Sequence, residues 1–243
     1  IKTNGLLFLR IMDDRCSRFC FFLPALLLAA ILFYGCRTTR FVPDDQYLLN
    51  RIDVKIDNKQ VDKEELSNHI RQKENLRILG FLKFHLWLYN LSDKDKEKSW
   101  LREIGEPPVI YDPGLKDQSA EQLKQYMNNK GYYQAEVRDS VAFKKKKAHV
   151  VFQVKAGNPY KIHSVRYTIR DVVLEREMEN VMQESLIRQG DLLDVDVLDK
   201  ERTRIARYFQ NMGYYRFVED YIHYRIDTSL QKMGASVEMI IEK

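Results

Sequence analysis

The 243-residue sequence predicts an α+β protein: two tandem β-α-α-β-β modules, each with two helices on a three-stranded sheet, after an N-terminal signal peptide. Three observations predict it. An apolar run from Phe19 to Tyr34 follows Arg15 and Arg18 and ends on Gly35-Cys36. The stretch Tyr126-Met127-Asn128-Asn129-Lys130-Gly131-Tyr132-Tyr133 recurs as Tyr208-Phe209-Gln210-Asn211-Met212-Gly213-Tyr214-Tyr215. Helical apolar spacing precedes each copy, and period-two alternation follows it.

The leader comes first. Met12 reads as the start of a basic n-region, Phe19–Tyr34 as an apolar h-region, and Gly35 as the small residue before a cleavage point; together these describe an export signal over residues 1–35. The apolar run lies at the lower end of the ~17–25 residues that cross a bilayer, so an uncleaved anchor is the alternative. Pro24 and the Gly35-Cys36 ending favour cleavage. Cys16 and Cys20 fall in the leader, which leaves Cys36 as the single cysteine of the exported chain, unable to form an internal disulfide. Leu32-Phe33-Tyr34-Gly35-Cys36 resembles a bacterial lipobox. That resemblance implies a lipid on Cys36.

Over the whole chain 44% of residues are apolar and 31% are charged, so the folded part reads as soluble rather than as a bundle of membrane spans. The net charge of +5 lies partly in the leader, and the remainder is too small to indicate nucleic acid.

Residues 36–46 read as a polar tether. The first module, 47–157, opens with Ile52, Val54 and Ile56 alternating with Asp53, Lys55 and Asp57, a strand. Asp62 is placed to cap a helix carrying Leu66 and Ile70. An aromatic-rich insertion, about 76–115, holds Phe84, Trp87 and Trp100; it is too apolar for a disordered loop and reads as a lid or a contact surface. Ala120, Leu123 and Met127 mark a helix. Gly131 ends it in the left-handed conformation that glycine adopts without a Cβ clash. Tyr132 and Tyr133 then open an extended segment. Lys144–Lys147 reads as a solvated hairpin turn, with an acidic-lipid contact as the alternative, before Val150, Phe152 and Val154 alternate in a strand.

The second module, 158–243, repeats the order. Val165, Tyr167 and Ile169 form its first strand. Asp171 precedes a helix with Leu174, Met178, Val181 and Met182. Asp199 stands near the start of the next helix, whose apolar stripe is Leu198, Ile205, Phe209 and Met212 and whose end is Gly213, followed by Tyr214 and Tyr215. Ile222, Tyr224 and Ile226, then Val237, Met239 and Ile241, give the last two strands. Polar alternate positions leave one sheet face open to water.

Strand-helix-helix-strand-strand with Gly-Tyr-Tyr closing the second helix resembles the polypeptide-transport-associated (POTRA) domain, the periplasmic module of BamA and TamA outer-membrane assembly factors. The likeness covers nearly all of 47–243. Phe41-Val42-Pro43, Tyr47-Leu48-Leu49, Leu86-Trp87-Leu88-Tyr89-Asn90, Trp100-Leu101-Arg102, Gly105-Glu106-Pro107-Pro108-Val109 and Glu201-Arg202 carry a resemblance to the TamA-like lipoprotein branch of Bacteroidetes. It implies a scaffold lipid-anchored at the periplasmic face of the outer membrane, acting in outer-membrane protein assembly or translocation. Its partners would be unfolded outer-membrane proteins or periplasmic assembly proteins, bound by β-augmentation. Members carry a C-terminal transmembrane β-barrel, which the residues up to Lys243 do not supply, so the expectation stays open between a fragment, a truncated product and a stand-alone scaffold.

The candidate binding edges are Gln134–Phe143 and Arg216–Asp227, with Arg216 and Arg225 the named residues of the second. Arg225 reads as the place where a proline would delete an edge donor and spare the core. No catalytic, phosphate-binding or metal-binding pattern is evident, so the expectation is no enzyme and no cofactor. Asp191, Asp194, Asp196 and Asp199 lack the glycine and closing glutamate of a calcium loop and read as polar loop and helix-start residues. Two other readings stay open: an inner-membrane-anchored POTRA protein of cell division, and a surface lipoprotein binding sugars or other ligands.

Overall fold

The computed structural model describes residues 38–80, 82–93, 99–229 and 233–242. The stretch read as a signal peptide, and Cys36, lie outside them. Among the described residues the strands and α-helices follow in the order β1 (Leu48–Ile56), α1 (Lys63–Asn68), α2 (Phe84–Leu91), α3 (Trp100–Ile104), α4 (Pro113–Asn129), β2 (Glu136–Lys144), β3 (Lys147–Lys155), β4 (Lys161–Ile169), α5 (Val172–Gln183), α6 (Val195–Asn211), β5 (Ile222–Asp227) and β6 (Gly234–Ile241). They build two three-stranded sheets, ordered β1-β3-β2 and β4-β6-β5. This is the α+β architecture expected of tandem β-α-α-β-β modules. Among the described residues no helix is long and apolar enough to cross a membrane.

The second sheet shows why alternation specifies it. Central β6 runs parallel to β4 and antiparallel to β5. Its residues Ala235, Val237, Met239 and Ile241 are buried in one core with Leu174, Met178 and Val181 of α5 and Leu198, Ile205 and Phe209 of α6. In β4 the alternation changes phase. Ile162 pairs with Ala235, the register shifts between Ile162 and Ser164, and Val165, Tyr167 and Ile169 then pair with Val237, Met239 and Ile241. One extra residue, His163, lets an even-numbered isoleucine and odd-numbered neighbours share the core face. The other face is polar: Ser164 and Ser236 hydroxyls are 2.8 Å apart, and Thr168 Oγ1 donates to Glu238 at 2.8 Å.

In the first sheet, the Leu48 amide donates to Lys146 O and the Asp57 amide to Val154 O, so β1 and β3 run parallel. The β2–β3 turn is the two residues Lys145 and Lys146, both at positive φ (48° and 62°). Two left-handed residues make the turn whose twist suits a hairpin, here without the usual Asn-Gly. Its solvation is incomplete, because the Lys146 ammonium donates to Val42 O at 3.1 Å and to Asp44 at 2.7 Å.

By chain contacts the protein divides into two compact units. Of the described residues, one comprises those up to Arg51, Lys73–Tyr111 and Ala142–His149; the other comprises Ile52–Gln72, Asp112–Val141 and those from Val150 onward. Within the first, Val42 is buried with Leu48 and Leu86, so part of the stretch read as a tether is packed. The insertion contributes α2, α3 and the segment Val109–Tyr111, which bridges antiparallel to β1 at Leu48↔Ile110. Within the second, α1 is capped by Asp62, whose carboxylate accepts from the Glu64 and Glu65 amides.

Several local expectations are corrected. Helix α1 ends at Asn68, so Ile70 lies beyond it. Asp199 does stand near the start of α6, in its second turn, while the N-cap itself is Asp194. Met212 is the C-cap and is half-exposed rather than part of the buried stripe. The tyrosine pairs occupy turns rather than strands, because β2 starts at Glu136 and β5 at Ile222. Arg216 precedes a 3-10 turn, Glu219–Tyr221, and is not on a strand.

Candidate binding edges and the glycine-tyrosine corners

Both repeated corners close their helix in one way. Gly131 (φ +85°) and Gly213 (φ +100°) follow the C-caps Lys130 and Met212. The amide of Tyr132 reaches Met127 O and that of Gly131 reaches Asn128 O; Tyr214 reaches Phe209 O and Gly213 reaches Gln210 O. This paired arrangement satisfies the last helical carbonyls and requires a left-handed residue at the glycine. Each corner then turns in, with Ala135 donating to Tyr132 O and Phe217 to Tyr214 O.

The corners diverge in their side chains. Tyr132 is buried and receives the Asn58 amide at 3.4 Å. Tyr133 stacks edge-on against Tyr160 at 5.3 Å. Tyr214 packs on Phe209, whereas Tyr215 is 85% exposed. Around Gly131 a further network forms. Tyr160 donates to Gly131 O, Leu193 donates to Tyr160 O, and the Lys130 ammonium bonds Asp194 at 3.1 Å and Asp196 at 2.7 Å. Burial pulls the Lys130 pKa down, but its bonds to Asp196 and Asp194 outweigh that and hold it above the usual lysine range. Asp194 and Asp196 of the acidic run are thus engaged by a lysine and by the start of α6, where Asp194 Oδ1 accepts from the Asp196 amide.

Another pairing was not evident from spacing alone. Glu201 is 0% exposed, and Arg204 grips both its oxygens at 2.8 Å. The same guanidinium donates to Val181 O at 2.8 Å, and Glu201 accepts from the Leu186 amide at 3.2 Å. Desolvation pushes the Glu201 carboxyl up, but the bonds from Arg204, Leu186 and Ser185 more than offset it and hold it below the usual carboxylate range. The i, i+3 spacing of Glu201 and Arg204 was the signal available in the sequence.

The strand edges differ in how they are covered. At β1, Leu49 donates to Val109 O, Tyr111 donates to Tyr47 O, and the Arg77 and Lys83 side chains donate to Asn50 O. At β4, Ile162 donates to Asp191 O and Gly190 to Ile162 O. Among the described residues, no backbone bond from another segment falls on the outer edges of β2 and β5. The orientation of the β5 donors corrects one expectation. Glu242 donates to Tyr221 O, and Ile222 pairs with Ile241, so the amides of His223, Arg225 and Asp227 point to β6. The outward donors are those of Ile222, Tyr224 and Ile226. Arg225 has its side chain on the open face, 3.1 Å from Glu238, while its N–H belongs to the internal ladder.

Residues 47–157 match the POTRA family, described as "Surface antigen variable number repeat". No curated protein sequence matches the chain. Among solved structures, the chain is similar to the Haemophilus influenzae BamA POTRA3-5 fragment (13% identity, 83% of this chain and 69% of that one, TM-score 0.43). It is also similar to BamA from Haemophilus ducreyi lacking POTRA domains 1-3 (15%, 81% and 29%, TM-score 0.40), and to CdiB from Escherichia coli (8%, 84% and 28%, TM-score 0.29). The chain spans less than a third of the length of the last two.

Proposed function

We propose that this POTRA-containing chain is the periplasmic scaffold of an outer-membrane protein assembly or translocation factor, held at the membrane through a lipid on Cys36. Its β2 and β5 edges take extended segments of unfolded outer-membrane clients or periplasmic partners by strand addition. The observation that supports this reading is a difference between the edges: the first residues of β1 and β4 are bonded by the chain's own segments, at Leu49, Asn50 and Ile162, while among the described residues no such bond falls along the outer edges of β2 and β5. Each added backbone bond contributes only ~0.5–1.5 kcal/mol net, which suits a weak and sequence-tolerant contact. Charged residues along β2 (Glu136, Arg138, Asp139, Lys144) and β5 (Arg225, Asp227) disfavour pairing between copies.

The test is photo-crosslinking of an unfolded barrel-protein peptide to residues 136–144 and 222–227 in the full chain. Crosslinks confined to these two strands, and lost when their outward amides are removed, support the reading. Crosslinks spread over other surfaces, or unchanged by edge blocking at equal stability, overturn it.

A further inference from the structure

The lysine turn between β2 and β3 holds positive charge that the strand-edge reading does not use. Lys144 and Lys147 flank a two-residue turn, so they stand opposite each other, and alternation puts His149 on the same face as Lys147. Like charges in opposed positions destabilise a hairpin. Lys146 is paired with Asp44. Among the described residues, Lys144, Lys145 and Lys147 have no ion-pair partner.

These three cations line a pocket of about 490 Å³, together with Thr38, Asn50 and His149. Among its described lining residues there is no carboxylate. The Thr38 hydroxyl oxygen is buried and has no hydrogen-bond partner among the described residues. Such a hydroxyl is costly unless a ligand or water completes it. The walls are held by the rest of the same compact unit. Thr38 O accepts from the Asn90 side-chain amide at 3.5 Å, and the Val42 amide donates to Thr39 O at 3.3 Å. Asn50 O accepts from the Lys83 ammonium at 2.6 Å, which adds a further positive charge behind that wall.

We propose that this pocket binds a phosphate group, free or on the headgroup of a lipid. Phosphate carries several acceptor oxygens on one compact anion, and lysines bind it as point charges that converge from different directions. A hydroxyl beside them donates to the same oxygens. Bound there, the anion neutralises the opposed Lys144 and Lys147 and turns a repulsion into a bridge. The proposal is independent of the strand-edge reading and of how the N-terminus is held.

The experiment is calorimetric titration of the full chain in a nonionic detergent with inorganic phosphate, dihexanoylphosphatidic acid and, as a zwitterionic control, dihexanoylphosphatidylcholine. Saturable binding of inorganic phosphate assigns the pocket to the free anion. Saturation by the phosphatidic acid alone assigns it to a lipid headgroup. In either case Lys144→Gln with Lys147→Gln should weaken binding at least about tenfold. Lys55→Gln with Lys155→Gln removes the same charge at two exposed positions elsewhere and should change it less than about twofold. Thr38→Val deletes the hydroxyl at nearly constant shape and should weaken binding with every lysine in place. Without phosphate, the Lys144→Gln, Lys147→Gln chain should melt no lower than the parent, because it has lost a repulsion; its lost binding is then not lost folding. No saturation by either anion overturns the proposal. So does equal weakening by the two lysine pairs, which leaves only diffuse charge, or equal binding of the phosphatidylcholine. Unchanged binding in Thr38→Val moves the anion onto the outer lysines and overturns the pocket.

Discussion

Gly131 lies beneath the carbonyl of Leu193: a Cβ on Gly131 would stand 2.8 Å from that oxygen, whereas one on Gly213 would meet nothing within 4 Å. Both glycines hold positive φ, so the repeated motif is required at two positions for one shared reason and at one of them for a second. Gly213→Ala should cost about 1–2 kcal/mol, the cost of a left-handed alanine. Gly213→Asn should cost less, because asparagine tolerates that region. Gly131→Ala and Gly131→Asn should both cost more than their Gly213 counterparts, since the Leu193 backbone must move. Denaturant midpoints of the four variants check this; equal costs at the two sites would contradict it.

Glu201 and Arg204 form a pair with the carboxylate fully enclosed and the guanidinium 21% exposed. Glu201→Gln leaves Arg204 with a buried neutral partner and should destabilise by roughly 3 kcal/mol, in the range for breaking such pairs. The sign with pH follows from the lowered carboxyl. The pair's contribution is fully present above the ordinary value of 4.5 and is lost as pH falls below it, through the folded-state value. Thermal melts between pH 7 and 3 should show a shallower acid limb for Glu201→Gln than for the parent.

Lys83 changes stability with pH in the same direction, in a more alkaline window. Burial, with the Arg77 and Lys147 charges, lowers its ammonium to about 8 from 10.5, while it donates to Asn50 O at 2.6 Å. Between these two values the unfolded chain binds more protons than the folded one, so stability should rise as pH increases from about 8 to 10.5. Lys83→Met should remove that rise. Melts at pH 7.5, 9 and 10.5 on both proteins make the comparison.

Proline placement along β5 separates ladder from edge. Arg225→Pro deletes an internal bond to β6 and should lower stability by about 1 kcal/mol or more. Ile226→Pro deletes an outward donor instead. It should therefore reduce crosslinking of an extended client at a smaller cost to the sheet, with Ile226→Ala controlling for lost packing. A larger loss of stability for Ile226→Pro than for Arg225→Pro would reverse the assignment of donors.

Alternation and the glycine-tyrosine repeat carried the second module almost entirely. Val237, Met239 and Ile241 needed only period two to be read as a core strand, and Leu198, Ile205 and Phe209 only helical spacing. Local chemistry also makes Asp62 a helix cap and Lys145-Lys146 a turn, because capping and turn geometry act over a few residues. Other features were illegible for a common reason. The bulge at His163 depends on its partner strand, the direction of the Arg225 amide on the register with β6, and the engagement of Asp194 and Asp196 on Lys130, more than sixty positions away in the chain. The sequence by itself determined which residues can be core, cap or turn, since those preferences are local. Only the tertiary structure decided which backbone groups stay unpaired at an edge, and that the Leu193 carbonyl leaves no space beside Gly131, because both depend on distances between segments remote in the chain.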